Sequence, residues 1–135
     1  MQTVQEFMQC YFRERTELRR AWLAHGERFR QRFFTTDYLR EHQSSNEEIR
    51  SFQKANPAGS MDIADSGSLA LVATTEPFGK RQKRFRYHLQ RSGETWLVQR
   101  HEWECLVCKA TGNRGTNQCD NCTGTGWKYY GPADG

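Results

Sequence analysis

Two Cys-x-x-Cys pairs constrain this chain more than any other feature of its sequence. They lie in the segment CLVCKATGNRGTNQCDNCTGTG, where ten residues separate one pair from the next. Two tight turns of this kind bring four thiolates to the corners of one tetrahedron, which is the arrangement that structural zinc requires. The predicted zinc ligands are Cys105, Cys108, Cys119 and Cys122.

A disulfide pair and a thioredoxin-like redox motif are the alternatives to zinc. A redox Cys-x-x-Cys opens a helix after a strand, whereas these pairs lie in segments rich in Gly, Asn and Thr. No His or carboxylate stands at ligand spacing, so the four thiolates are the expected ligands. Because they leave no coordination position open for water, the zinc is expected to be structural and not catalytic. Nearby Lys109, Arg114 and Lys128 offset its negative charge.

The second pair resembles a known zinc motif. Residues 119–126, CDNCTGTG, match the CxxCxGxG repeat of the Cys-rich zinc domain of DnaJ-type chaperones. The first pair departs from that repeat at Ala110, where the family has glycine. Two repeats imply one zinc ion, and because the His-Pro-Asp signature of a J-domain is missing, the resemblance implies a metal site and no co-chaperone role.

Length and composition fit one cored domain with a small appendage. The chain has 135 residues, of which 36% are hydrophobic and 13% aromatic, a globular composition. The N-terminal sequence MQTVQEFMQC lacks the pattern of a secretory signal, and no apolar run is long enough to span a membrane. Five cysteines argue against a disulfide framework, so a reducing cytoplasm is expected.

A long helix is predicted at the N-terminal end. Thr3 and Glu6 form a capping box, and an apolar stripe with helical spacing follows. The helix is expected either to run on or to break at His25–Gly26, and a break is favoured because glycine costs ~1 kcal/mol inside a helix. Cys10 is expected to pack as a small buried hydrophobe. The stripe consists of Val4, Phe7, Met8, Tyr11, Leu18 and Trp22, continued by Phe29 and Phe33.

Another helix and a turn-rich segment are predicted before the sheet. A second capping box begins at Ser45, and the helix is expected to run to about Lys54, where Asn-Pro-Ala-Gly at 56–59 stops it. Residues 60–68 are polar and are predicted to form turns. Asp62 and Asp65 lie there and are expected to be loop carboxylates, since no further ligands stand at useful spacing.

Consecutive antiparallel strands are predicted at residues 69–75, 80–91 and 94–104. A two-residue turn at Ser92–Gly93 sets the register of the last two strands. This register places Tyr87, Leu89, Trp96 and Val98 on the buried face. Its charge pairs are Arg91 with Glu94, Lys83 with Glu102, and Arg81 with Glu104.

The first strand of this hairpin carries a basic run interleaved with aromatic residues, which is typical of a nucleic-acid surface. In the predicted register, half of these basic residues lie opposite glutamates of the neighbouring strand. Lys80, Arg84, Arg86 and His88 remain on the polar face, which is expected to be a solvated outer surface, with phosphate contact as the alternative.

The element order is a long helix, short helices, a Pro/Gly break and consecutive strands. It resembles the nuclear transport factor 2-like fold, an α+β cone in which a curved sheet wraps the long N-terminal helix. The segment FRYHLQRSGETWLV resembles the closing hairpin of that superfamily, and the similarity is greatest to immunity proteins of bacterial polymorphic toxin systems. The implied organisation is an α+β domain at 1–104, a zinc hairpin at 105–130 and a disordered tail at 131–135.

Three functions are compatible with this sequence. The first is a non-catalytic module that binds a protein partner, with an immunity protein that neutralises a toxin as its narrower form. The second is a nucleic-acid binder that uses the zinc hairpin and strand 80–91. The third is an isomerase-like enzyme with a pocket in the cone, although no catalytic pair is legible on the predicted inward faces.

Overall fold

The computed structural model describes residues 2–18, 22–41, 61–78, 80–105, 107–109 and 111–129. The expected α+β class is confirmed, with helices at the N-terminal end, a five-stranded antiparallel sheet and a cysteine cluster near the C-terminal end. The helix predicted from Ser45 and the tail at 131–135 lie outside the described residues. No helix within the described ranges is long and apolar enough to cross a membrane.

The three helices are α1 Val4–Leu18, α2 Trp22–Phe33 and α3 Thr36–Glu41. The predicted capping box begins α1, because the Thr3 N–H donates to Glu6 Oε1 at 3.2 Å and the Glu6 N–H donates to Thr3 Oγ1 at 3.1 Å. The two reciprocal bonds satisfy N–H groups that the first helical turn leaves without partners.

The break favoured at His25–Gly26 is wrong, because α2 runs through both residues. The cost of a glycine in a helix is outweighed by burial of Phe29 and Phe33 on the face that meets the core. Helix α3 was not predicted from the sequence. It begins after Thr35, whose Oγ1 accepts the Tyr38 N–H at 3.1 Å in an N-cap bond.

The sheet has the strand order β1–β2–β3–β4–β7, and every neighbouring pair is antiparallel. Strand β1 occupies part of the segment expected to consist of turns, and it forms the edge beside β2. A separate two-stranded ladder joins β5 and β6. The strands are β1 Met61–Asp65, β2 Leu69–Phe78, β3 Arg81–Ser92, β4 Thr95–Glu104, β5 Asn113–Arg114, β6 Asn117–Gln118 and β7 Trp127–Tyr129.

The predicted register of the β3–β4 hairpin is wrong by two residues near its turn. Ser92 pairs with Thr95, so the turn residues are Gly93 and Glu94, and Gly93 has the positive φ of 62° that tight hairpin turns favour. A shift of two keeps the side-chain alternation. The predicted inward residues are therefore buried as expected: Tyr87, Leu89, Trp96 and Val98.

A β-bulge shifts the register once more along the same hairpin. Leu89 pairs with Val98 but His88 pairs with Arg100, which leaves Gln99 as an extra residue on β4. The extra residue reverses the alternation of β4 beyond this point. His101 therefore faces the core, and the glutamates on either side of Trp103 face outward.

An aromatic cluster between the helices and the sheet forms the core. The Tyr11 ring lies at its centre, with ring centroids 5.4 Å from Phe29, 5.5 Å from Phe33 and 5.5 Å from Tyr87. The chain between α2 and α3 is tied to the sheet, since the Thr35 N–H donates to the Val98 carbonyl at 2.9 Å. The helices thus cover one face of the sheet, and the opposite face is called the outer face below.

Candidate metal centre and the adjoining face of the sheet

The four predicted zinc ligands lie together. All four cysteines are buried, and their sulfur atoms lie within 4.8 Å of one another. The Sγ atoms of Cys105 and Cys119 are 3.8 Å apart, and those of Cys108 and Cys122 are 3.6 Å apart. Zinc–sulfur bonds of about 2.3 Å give a regular tetrahedron an edge of about 3.8 Å. The donor set and its spacing therefore suit one structural zinc ion, with every coordination position filled by a thiolate.

Each Cys-x-x-Cys pair and the four residues after it are called a knuckle below, so the knuckles are residues 105–112 and 119–126. The two knuckles repeat the same turn with an offset of 14 residues. In each knuckle, a glycine N–H four residues after the second cysteine donates to that cysteine's sulfur. Gly112 donates to Cys108 Sγ at 3.3 Å, and Gly126 donates to Cys122 Sγ at 3.2 Å. Hydrogen bonds of this kind stabilise the thiolate form that binds metal.

The two knuckles are also joined by reciprocal backbone hydrogen bonds. The Cys105 N–H donates to the Gly126 carbonyl at 2.9 Å, and the Cys119 N–H donates to the Gly112 carbonyl at 2.9 Å. Gly112 has φ of 81°, and a Cβ there would lie 2.3 Å from the carbonyl oxygen of Gly124. Only glycine fits this contact between the two backbones.

Asn121 makes the centre asymmetric. Its Nδ2 donates to Cys105 Sγ at 3.1 Å, whereas Val107, the equivalent residue of the first knuckle, has no side-chain donor. Burial alone would raise the pKa of Cys105, but hydrogen bonds from Asn121 and from backbone N–H groups lower that pKa to about 6. Burial raises the pKa of Cys119. Cys105 therefore becomes a thiolate more readily than Cys119.

Strand β7 attaches the zinc hairpin to the main sheet. Cys105 follows directly after β4, and Gly126 precedes β7 directly. Glu102 pairs with Tyr129 and Glu104 pairs with Trp127 across the β4–β7 ladder. The metal centre thus lies where the fifth strand of the sheet begins, and its geometry controls how β7 meets β4.

The outer face carries Arg84, Arg86 and His88 as expected, whereas Lys80 precedes β3. The predicted pairs of Arg91 with Glu94 and of Lys83 with Glu102 are wrong, since Arg91 lies opposite Trp96 and Arg86 lies opposite Glu102. Glu104, which was predicted to pair with Arg81, contacts Arg84. The register places other partners opposite the glutamates. Arg86 binds Glu102 with an N–O distance of 2.8 Å, and Arg84 binds Glu104 at 3.1 Å. Glutamates of β4 therefore pair with the arginines of β3, and the bulge sets which residues lie opposite each other.

Glu102 is the centre of a larger charged cluster. Its carboxylate also contacts His88 Nε2 at 2.5 Å and Arg100 Nε at 2.9 Å, and its side chain is only 5% exposed. Burial alone would raise the pKa of Glu102, but the hydrogen bond from His88 and the charges of Arg86 and Arg100 lower it. One carboxylate thus orders three side chains that are cationic or can become so.

Trp127 packs back onto the sheet. The guanidinium carbon of Arg86 lies 4.0 Å from the Trp127 ring centroid, a cation–π contact. Trp127 therefore contributes an aromatic ring to the outer face. Tyr129 forms part of β7, and Tyr130 lies outside the described residues.

A buried polar cluster under α1 was missed by sequence reasoning. Arg15 binds Glu76 Oε1 at 2.8 Å, and the Tyr87 hydroxyl donates to Glu76 Oε2 at 2.8 Å. Thr74 also donates to this carboxylate. Two signals were available, because Arg15 stands four residues after Tyr11 on the apolar stripe and Glu76 stands at an inward position of β2.

His101 completes this cluster on the core face. Its ring stacks on Tyr87 with centroids 4.5 Å apart, and burial lowers the pKa of His101 while it raises the pKa of Tyr87. Both Arg15 and Glu76 are 1% exposed. Because a substrate has no access to groups so deeply buried, the cluster is structural.

The remaining residues singled out in the sequence lie apart from the metal centre. Asp62 and Asp65 are exposed on β1, and Asp65 accepts the Gly67 N–H at 2.8 Å in the turn to β2. Cys10 is half-buried beside the core, and its sulfur accepts hydrogen bonds from Arg13 at 3.6 Å and Arg32 at 3.5 Å.

Comparison with known proteins gives one informative similarity. No family model matches the chain, and no solved structure matches it. The tRNA pseudouridine synthase Pus10 of Halorubrum lacusprofundi is 30% identical to this chain over 79 residues. That stretch covers 58% of this chain but 16% of the synthase, so the chain is similar to a small part of a much longer protein.

Proposed function

We propose that this chain is a non-catalytic RNA-binding module in which a structural zinc ion fixes the last strand of the sheet. The observation that carries the proposal is the similarity to a protein named as a tRNA pseudouridine synthase. Because the shared stretch is a small fraction of that enzyme, we propose RNA binding for this chain and do not propose the enzyme's reaction. A closed four-thiolate centre agrees with a structural role for the metal.

The outer face supports the proposal through its composition. Three arginines surround two glutamates there, so the cluster has a net charge of +1 before any protonation of His88. Trp127 adds an aromatic ring next to Arg86. Cations and aromatic side chains on one sheet face are what single-stranded RNA requires for its phosphates and bases.

The zinc hairpin supplies two more cations. Lys109 and Arg114 are exposed, and within the described residues neither forms a salt bridge. Zinc knuckles are among the modules that recognise single-stranded RNA. The hairpin and the outer face are continuous through β7, so one strand of RNA can contact both.

A fluorescence anisotropy titration with a labelled single-stranded RNA of about 20 nucleotides tests the proposal at two salt concentrations, about 50 and 200 mM. The intact protein is expected to bind, with affinity that falls steeply as salt rises. Lys109→Ala combined with Arg114→Ala is expected to reduce the slope of log K against log salt by about 1.4, since each lost phosphate contact accounts for about 0.7.

The matched control removes two arginines from the helical side of the molecule. Arg13→Ala combined with Arg28→Ala has the same charge change and is expected to leave the salt slope unaltered. Failure of the intact protein to bind RNA at micromolar concentration in low salt would overturn the proposal.

A protein partner is the second candidate function, and the exposed apolar side chains of β1–β2 favour it. Ile63 is 38% exposed and Leu69 is 48% exposed at the edge of the sheet. Exposed apolar groups beside polar ones are typical of protein contact surfaces. The immunity role in toxin systems stays a prediction from resemblance, and it would be tested by neutralisation of a toxin encoded next to this chain.

We also propose the nuclear transport factor 2-like fold and the DnaJ-type knuckle as the finer assignments. The order of helices and sheet supports the first, and the two glycine-containing turns of residues 105–126 support the second. Five cysteines without a disulfide favour a reducing compartment such as the cytoplasm. An experimental structure superposed on members of each family is the test of these assignments.

A further inference from the structure

A groove opens on the outer face at the end away from the zinc hairpin. Its volume is about 380 Å³, within the range of about 300–1,000 Å³ that small-ligand pockets occupy. The turn between β1 and β2 forms one wall, and β3 and β4 form the other. Leu69 and Leu71 supply its apolar surface. His88 and Gln99 supply polar groups on the side of β3 and β4, and Asp65 and Ser66 supply them at the turn between β1 and β2.

The β-bulge shapes this groove. Gln99 is the extra residue of β4 and has no partner on β3, so its exposed side chain lines the groove. The residue after it, Arg100, pairs with His88 on the outer face. Bulges often redirect side chains toward functional sites. This one places an amide and a guanidinium next to each other at the end of an apolar surface.

Arg100, which pairs with the groove residue His88, is held in place before any ligand arrives. Glu102 binds Arg100 Nε at 2.9 Å and His88 Nε2 at 2.5 Å, and it binds Arg86 as well. The Arg100 side chain remains 45% exposed despite this contact. Because the carboxylate fixes these groups, little side-chain freedom is lost when an anion binds them.

The apolar wall suits the flat face of a nucleobase. Leu69 is 48% exposed and lines the groove next to Leu71. A base offers an apolar face for such a residue and donor and acceptor groups along its edge for the Gln99 amide. The phosphate attached to that base would then lie toward the guanidinium end.

We infer that this groove binds one nucleotide of single-stranded RNA. The base packs against Leu69 and Leu71, its edge meets Gln99, and its phosphate meets Arg100. The inference rests on the proposed function and adds to it a base site on the sheet, separate from the phosphate contacts of the zinc hairpin.

Two substitutions separate the base site from the phosphate site in the same anisotropy titration. Leu69→Ser is expected to raise Kd about tenfold with the salt slope unchanged, because the apolar contact with the base is lost while no charge is removed. Arg100→Ala is expected to raise Kd and to lower the salt slope by about 0.7, the value for one phosphate contact. Circular dichroism checks that both variants fold.

Ile63→Ser is the matched control for Leu69→Ser. Ile63 is an exposed apolar residue of β1 that pairs with Val72 and does not line the groove, so its replacement is expected to leave Kd unchanged. Photo-crosslinking with RNA that contains 4-thiouridine is expected to label peptides that include Leu69 or Gln99.

The possible failures are distinguishable. If the intact protein binds no RNA, the proposed function falls and the groove assignment falls with it. If it binds RNA, but Leu69→Ser has the same Kd as Ile63→Ser and crosslinks lie only on the zinc hairpin, the groove assignment is overturned while the proposed function stands.

Discussion

At the scale of single residues, two of the described ion pairs differ in burial and therefore in energy. Arg15 and Glu76 are both 1% exposed, so each ion has lost its water and depends on the other. Arg84 and Glu104 are 51% and 13% exposed, and solvent screens their attraction. Removal of one partner is therefore costly in the core and nearly neutral at the surface.

Glu76→Gln is expected to lower the free energy of unfolding by about 3–5 kcal/mol, because the Arg15 charge then stays buried without a carboxylate. Urea unfolding at neutral pH measures the loss. Glu104→Gln is the control and is expected to cost less than about 1 kcal/mol. Equal losses at the two sites would contradict the burial difference on which this expectation depends.

Asn121→Ala is expected to weaken zinc binding about 10- to 100-fold, since a hydrogen bond to the thiolate of Cys105 is lost. Competition with a chromogenic chelator gives the affinity. Val107→Ala is the control at the equivalent place in the other knuckle, where no such bond exists. An unchanged affinity for Asn121→Ala would show that the amide does not support the metal.

At the scale of elements, the zinc hairpin and β7 depend on each other. Among the described residues of the hairpin, the buried apolar cluster consists of the four cysteines, so metal binding is expected to supply its folding free energy. Strand β7 pairs with β4 over only three residues. Without the metal, this short ladder is too small to hold the strand in place.

Cys119→Ser is expected to reduce bound zinc from about one ion per chain and to release β7 from β4. Hydrogen exchange is the measurement: amides at residues 113–129 should lose protection, while those of β2 and β3 should keep it. A chelator should have the same effect on the unaltered protein. Protection that persists at Tyr129 after metal loss would show that β7 pairs independently.

Elements with local signals were predictable, and elements fixed by distant contacts were not. The zinc ligands and the capping box at Thr3 need only a few neighbouring residues. The partner of Arg15 stands 61 residues away, and no local pattern relates the two. The hairpin register failed because the same alternation of inward and outward side chains fits two neighbouring turn positions, and because nothing in the sequence marks Gln99 as a bulge.

At the scale of the whole molecule, stability depends on pH through a buried histidine. Burial holds the pKa of His101 well below its ordinary value, so the folded protein keeps this ring neutral. The unfolded chain protonates it near the ordinary histidine pKa of about 6.5. The contribution of neutral, buried His101 to the free energy of unfolding is therefore complete above that pH. It is lost as the pH falls below that value, because the unfolded chain then binds a proton that the folded protein does not.

Acidification from about pH 7 to pH 5 is expected to destabilise the fold, with this residue contributing up to about 1.4 kcal/mol per pH unit below its unfolded pKa. His101→Phe keeps an aromatic ring next to Tyr87 and Phe85 and removes the titrating group. Its loss of stability between the two pH values, measured by urea unfolding, should be smaller than that of the unaltered protein. Identical pH dependence would mean that carboxylates alone set the acid limit.

The reciprocal closure of the two knuckles also makes the zinc hairpin a site for protein engineering. The four ligands and the hydrogen bonds to their sulfur atoms belong to the two repeated turns, and the tip between β5 and β6 lies between these turns in the chain. Gly115 at this tip has open space around it and a φ of 65°. A peptide tag inserted after Gly115 should leave zinc binding unchanged, which would place a reporter next to the surface proposed to bind RNA.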